Sequence, residues 1–194
     1  RMGRGWESPV GNLYCSALVR LRASDPMPHT LALVAANAVH ALVAPLCVGQ
    51  ARIKWPNDIL VDGAKIAGIL LERAGDAIVV GIGINVTDYP RGLDRPVTSL
   101  LAQGAKEADA GALMERLAQL FAHWLAIWSA QGLDPVRTHW LLNAHPTGTP
   151  MRVVQADGES AEGAFDTLDQ QGMLILRLAN GHSRAIHAGD IFLT

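Results

Sequence analysis

Residues 51–86 read ARIKWPNDILVDGAKIAGILLERAGDAIVVGIGINV, and this stretch decides the fold. Short apolar runs at Ala51–Trp55, Ile59–Val61, Lys65–Leu71 and Ala77–Val86 have strand character. Between them stand Pro56-Asn57-Asp58, the hairpin dipeptide Asp62-Gly63 and the turn Gly75-Asp76. Turns this tight leave no room for the helical crossovers of a parallel sheet, so the runs predict an antiparallel meander.

Upstream, Leu13, Cys15, Ala17, Val19 and Leu21 alternate over residues 12–22, predicting one more strand, which Pro26 and Pro28 end. Thr30 is placed to cap a helix whose apolar positions are Leu31, Val34, Ala35, Ala38 and Leu42, with Pro45 as its stop. Downstream, Thr87–Thr98 reads as a surface loop containing Pro90, Gly92 and Pro96. Leu113, Leu117, Leu120, Phe121, Trp124 and Trp128 form the stripe of an amphipathic helix over Gly111–Gln131. A shorter helix follows to Leu142, with Asp134 as its cap and Pro135 at its first position. After His145-Pro146 come short strands at Met151–Val154, Ser160–Thr167, Gly172–Leu178 and Ser183–Leu193, the pattern of a small barrel. The fold class is therefore α+β: a mixed or antiparallel sheet with helices over residues 1–145, and a small β-barrel domain over 146–194.

A hydrophobic fraction of 49% against 18% charged residues describes a chain with a substantial core. The net charge of −2 gives no general attraction to nucleic acid or anionic membranes, so anion recognition must be local. Cys15 and Cys47 offer neither a disulfide framework nor a zinc signature, which fits a reducing cytoplasm. The apolar stretch Leu31–Ala44, interrupted by Asn37 and His40, is too short to span a bilayer. The seven histidines lack metal-ligand spacing, so no protein-held metal is expected.

Four segments carry candidate chemistry. Arg1, Gly3, Arg4, Gly5 and Trp6 combine guanidinium groups with permissive backbone; they suit an anion, or are a frayed basic terminus. Alternation in Arg52–Pro56 sends Arg52, Lys54 and Pro56 to one face and Ile53 and Trp55 to the other, placing Lys54 as a point charge on a rigid strand. Gly68, inside Lys65–Glu72, marks either the close passage of a ligand or a β-bulge. Gly81 and Gly83 share one face of their strand and either leave a flat floor, with Asn85 adding an amide, or let a core strand pack tightly; the third glycine of a dinucleotide fingerprint is missing.

Order and spacing add what each segment lacks singly. Residues 1–6, RMGRGW, resemble the second half of the GRGRxGRxW loop of biotin–protein ligases, and Gly11-Asn12-Leu13-Tyr14 with Ser16 is similar to the strand that follows it. KWPND at 54–58, KIAGILLE at 65–72 and GIGINV at 81–86 then appear in the family's order, and Gly172, Leu174 and Gly189-Asp190-Ile191 resemble its SH3-like C-terminal domain. The resemblance implies a ligase that joins biotin and Mg·ATP (biotin, ATP and Mg2+) into biotinyl-5′-AMP and then passes biotin to a lysine. The acceptor would be a biotin carboxyl carrier domain of acetyl-CoA carboxylase or a related carboxylase. It further implies that Lys54 bridges biotin carboxylate and phosphate, with Arg1 and Arg4 closing over the intermediate. Gly68, Ile69 and Leu70 would wall the biotin pocket, with Arg1 and Lys54 beside them. Gly3, Arg4, Trp6, Asn57, Asp58, Gly83 and Asn85 would take the nucleotide, and Leu93 or Val97 would cover the base in place of a tryptophan.

The family's Ser-Thr-Asn segment and the first half of its arginine loop do not occur here, nor does the DNA-binding domain of some members. The expectation is thus a chain that starts in mid-loop, binds biotin poorly without an upstream segment, and has no repressor function. Homodimerisation through the outer face of the meander follows by analogy. Two rivals stand: a lipoate- or octanoate-handling transferase of the same fold, and a non-catalytic scaffold. The double-arginine, triple-glycine loop of the first does not occur.

Overall fold

The structure is a computed structural model that describes residues 9–93, 95–105, 109–155 and 158–194. Arg1, Gly3, Arg4 and Trp6 lie outside the described residues.

The meander is present. Strands β1 (Leu13–Arg20), β2 (Ala51–Lys54), β3 (Asp58–Val61), β4 (Ala64–Ala74) and β5 (Ala77–Ile84) form one antiparallel sheet in the order β1-β5-β4-β3-β2. Asp62 and Gly63 both adopt positive φ (47° and 80°), the conformation a two-residue hairpin requires. Helix α1 (Leu31–Val43) lies across this sheet, touching β2 to β5 on one side and helices α2 (Ala110–Gln131) and α3 (Leu133–Asn143) on the other. Alternation decides what faces it: Ile78, Val80, Ile82 and Ile84 of β5 and Ala67 and Ile69 of β4 are buried in the core. The opposite face carries Tyr14, Ser16, Leu18 and Arg20 of β1, Gly81 and Gly83 of β5, and Gly68, Leu70 and Glu72 of β4.

Helix boundaries depart from expectation at three places. Thr30 makes no side-chain cap; it ends a 3₁₀ turn (Pro28–Thr30), its Oγ1 donates to the Met27 carbonyl, and it accepts from Trp128 Nε1 at 2.8 Å. Pro45 does not stop the helical path but sits inside a second 3₁₀ turn (Ala44–Leu46), where a first-turn position needs no N–H donor. The continuous helical run Pro28–Leu46 is 19 residues, long and apolar enough to cross a membrane, which the shorter apolar count did not anticipate. Leu31, Val34, Ala35, Ala38 and Leu42 are buried by the sheet and the other helices, and that burial accounts for the apolarity. Asp134 does not cap α3: Gly132, at φ 83°, takes that position, and Asp134 stands in the first turn 3.5 Å from Arg137. Asp109 caps α2 through Gly111 and Ala112 N–H.

Beyond α3 a second antiparallel sheet is formed by β6 (Pro150–Val154), β7 (Ser160–Leu168), β8 (Leu174–Arg177), β9 (Ser183–Ile186) and β10 (Asp190–Leu193), in the order β10-β6-β7-β8-β9. The run Ser183–Leu193, expected as one strand, is two, because His187–Gly189 carries the chain from one edge of the sheet to the other. This is the SH3-like unit. It meets the end of β2 through Trp55 Nε1 on the Gly172 carbonyl (3.2 Å), and α3 through Arg137 on the Leu168 carbonyl (2.8 Å) and the edge contact of Trp140 with Phe165.

Candidate active site

One register row crosses the first sheet. Lys54 pairs with Asp58, Asp58 with Gly68, Gly68 with Gly83, and Gly83 with Tyr14. Paired residues project to the same side, so the row sets one lysine and one carboxylate beside a floor cleared by two glycines, with Tyr14 beyond. That floor lies on the face away from α1.

A second ammonium joins the row. Strict alternation from Gly68 would turn Lys65 toward the core with Ala67 and Ile69. The register instead shifts between Ile59 and Leu60, so that Ile59 pairs with Ala67 and Leu60 with Lys65. This bulge rotates Lys65 onto the glycine face. Its Nζ ion-pairs with Asp58 and sits 3.0 Å from where a Cβ on Gly68 would stand. The β-bulge reading of the glycine strand holds, and the bulge delivers a cation to the floor. Periodicity alone turns Lys65 toward the core, so the sequence offers no signal for it on this face.

Lys54 reaches the same carboxylate from the edge strand, 4.0 Å from Asp58, with a side chain only 16% exposed. Burial pushes its ammonium below the ordinary lysine range; Asp58 and Asp190 oppose that shift, whereas Lys65 and Arg95 add to it. Lys54 also lines a cavity between the sheets, with Trp55, Trp140, His145, Met151 and Ile191.

The other expected residues divide. Leu70 shares the face of Gly68 and is 37% exposed. The Ile69 side chain points the opposite way into the core, so its backbone is what can border a pocket on the glycine face. Asn57 donates its amide to the Ile69 carbonyl and accepts Ile69 N–H at its own, fastening the turn to β4. Asp58 is buried and already engaged by both lysines. Asn85 donates Nδ2 to the Thr98 carbonyl at 2.9 Å, tying the end of β5 to the far end of the following loop. Leu93 is exposed, and Val97 lies alongside Lys65 in a parallel bridge.

Residues 17–142 match the profile of the biotin/lipoate A/B protein ligase family, and residues 148–194 match that of the biotin protein ligase C-terminal domain. The chain is 35% identical to the biotin–[acetyl-CoA-carboxylase] ligase of Paracoccus denitrificans, covering 99% of this chain and 84% of that protein. It is 32% identical to the bifunctional ligase/repressor BirA of Bacillus subtilis over all of this chain, which spans 62% of that protein. A biotin protein ligase from Aquifex aeolicus, solved in complex with biotin and ATP, shares the fold at a TM-score of 0.88 and 22% identity, over 100% of this chain and 84% of that one. The chain belongs to the biotin/lipoate A/B protein ligase family. Within it, the C-terminal match and these relatives place it among the biotin–protein ligases.

Proposed function

We propose that this chain activates biotin with Mg·ATP and transfers it to a lysine of a biotin carboxyl carrier domain. In the first step a biotin carboxylate oxygen attacks the α-phosphorus, and pyrophosphate leaves with the P–O bonding pair. In the second the acceptor amine attacks the acyl carbon of biotinyl-5′-AMP, the amide forms with loss of a proton, and AMP departs.

The observation that carries this reading is the convergence of Lys65 and Lys54 on Asp58 at the edge of the Gly68–Gly83 floor. Two anions must meet in line, and fixed cations at their meeting point offset the repulsion. Lys65, whose nitrogen overlies Gly68, is placed to hold carboxylate against phosphate; Lys54 supplies the second positive charge. Until ligand arrives, Asp58 holds both ammonium groups in place. Gly68 and Leu70 border the biotin side, Gly83 and Asn85 the nucleotide side, and Asn57 shapes the turn between them. Arg1 and Arg4, with Gly3 and Trp6, retain their assignment from the motif they resemble.

The acceptor we assign is the carrier domain of acetyl-CoA carboxylase or a related carboxylase, and the compartment is the cytoplasm, where such carriers and ATP meet. Support for a homodimer through the sheet's outer face comes from Leu18 (61% exposed), toward the end of β1 away from the Tyr14–Gly83 pair. Residues 1–145 and 146–194 are proposed as the catalytic and SH3-like domains.

The test is biotin-dependent exchange between pyrophosphate and ATP, followed by biotin incorporation into a purified carrier domain. Wild-type protein should catalyse both, and lipoate should not replace biotin. Lys65→Met and Lys54→Met should each cost roughly 3 kcal/mol of transition-state stabilisation in the exchange, on the order of 100-fold in rate, with Lys65 the more severe. A wild-type protein inert with biotin would favour the non-catalytic scaffold. Normal exchange by both variants would remove the lysines from this role.

A further inference from the structure

Asn12 stands immediately before β1 and is 9% exposed. Its Oδ1 accepts three consecutive backbone N–H groups, from Val86 (2.8 Å), Thr87 (3.0 Å) and Asp88 (3.2 Å). Its Nδ2 donates to the Asp88 carbonyl at 2.9 Å and to the Tyr14 hydroxyl at 3.2 Å. One side-chain amide thereby fixes the backbone over the first three residues after Asn85. The chain just before it is fitted to the same place: Gly11 has φ 93°, and a Cβ there would stand 2.5 Å from Thr87 Oγ1.

The loop that begins at Val86 has its other end fastened as well. Lys65 N–H donates to the Pro96 carbonyl, Thr98 N–H donates to the Lys65 carbonyl, and Asn85 Nδ2 reaches the Thr98 carbonyl. One anchor is therefore the backbone of Lys65, three residues from Gly68, and the other is Asn12, next to the end of the strand that carries Gly83. The two anchors bracket the glycine floor. Val86 is fully buried, so removing Asn12 would leave its N–H unpaired away from water and force the loop root to move.

We infer that Asn12 is a positioning residue for the nucleotide half of the reaction, holding the root of the 86–88 segment so that Gly83 and Asn85 meet the adenylate in register. The inference rests on the function proposed above. It acts through backbone rather than by touching substrate, so its signature is a selective change in how ATP, and not biotin, saturates the enzyme.

The experiment compares wild type, Asn12→Ala and Asn12→Asp in the full-length protein by biotin-dependent pyrophosphate exchange, well below each variant's melting temperature. Asn12→Ala should raise KM for ATP about tenfold while leaving KM for biotin within about twofold. Asn12→Asp keeps an oxygen acceptor for the three N–H groups but turns its second oxygen against the Asp88 carbonyl, so it should raise KM for ATP less than Asn12→Ala does, with KM for biotin again within about twofold. Should Asn12→Ala not fold, Asn12→Ser, whose hydroxyl cannot reach all three donors, should raise KM for ATP at least about threefold. An unchanged KM for ATP, or equal rises for ATP and biotin, would overturn the inference. Absence of exchange in wild type would instead defeat the proposed function, so the two failures are distinguishable.

Discussion

At the scale of single residues, the site is defined by side chains that are missing as much as by those present. A methyl group added at Gly68 would meet Lys65 Nζ at 3.0 Å and Cε at 3.2 Å, with Asp58 Oδ1 at 3.7 Å. The near neighbour is the end of a flexible chain, so it can step aside and the strand can still form. Gly68→Ala should therefore cost no more than about 1 kcal/mol in a urea titration. It should nevertheless slow biotin-dependent exchange by roughly 100-fold, because the ammonium is displaced and the floor is filled. Full activity in that variant would show that no ligand lies on Gly68. Lys54, Asn57, Asp58 and Gly68 were all legible as special from their motifs. Their division of labour was not: Asn57 spends its amide on the Ile69 carbonyl, and Asp58 holds two lysines. Ile69 brings only its backbone to that face, because alternation buries every second side chain.

At the scale of elements, α1 owes its place to partners on both sides. Trp128 of α2 is fully buried and donates Nε1 to Thr30 Oγ1, which in turn donates to the Met27 carbonyl. This chain of two hydrogen bonds sets the start of α1 against the end of α2. Asn37, also buried, donates to the Val136 carbonyl and ties α1 to α3. Trp128→Ala should cost about 3–5 kcal/mol by removing a large core side chain and leaving a cavity. Trp128→Phe should lose only about 1–2 kcal/mol, chiefly the indole hydrogen bond. Guanidinium denaturation of the three proteins measures both, and equal losses would mean that the hydrogen bond outweighs the packing. The stripe that predicted α2 was sound: Leu113, Leu117, Phe121 and Trp128 are buried. The caps were less legible, since Thr30 and Asp134 are good capping types whose side chains or positions were claimed by other contacts.

At the scale of the whole molecule, histidines gather where α1 and α3 meet β2, two of them beside cations. His40, half-buried beside Ala51, is held below the ordinary histidine range first by burial, with His139 and Arg52 adding to the effect. His145 is lowered by burial and by Arg52 and Lys54, and its buried Nε2 has no hydrogen-bond partner. His139, its ring tilted 38° against Trp124 at 4.4 Å between centroids, is lowered by burial. Because the folded state disfavours protonation, the unfolded chain binds more protons as pH falls below about 6.5, and stability falls with it. Above that value both states are neutral at these rings and the term vanishes. The melting temperature should thus decline between pH 7.5 and 5.5, and the decline should be shallower in His145→Gln. Identical slopes in the two proteins would exclude His145 as a contributor.

The sequence by itself determined the meander, the amphipathic helices, the C-terminal strands and the set of motifs, because turn chemistry and hydrophobic period are local properties that neighbours along the chain can specify. Only the tertiary structure decided that Lys65 stands with Lys54 on the glycine face, and that Asn12 closes the far side of that floor. The first depends on a bulge seen only when β4 is paired with β3. The second depends on hydrogen bonds across more than 70 residues of sequence. Interactions of that reach form only once the sheet has brought β1 beside β5, so no window along the chain contains them.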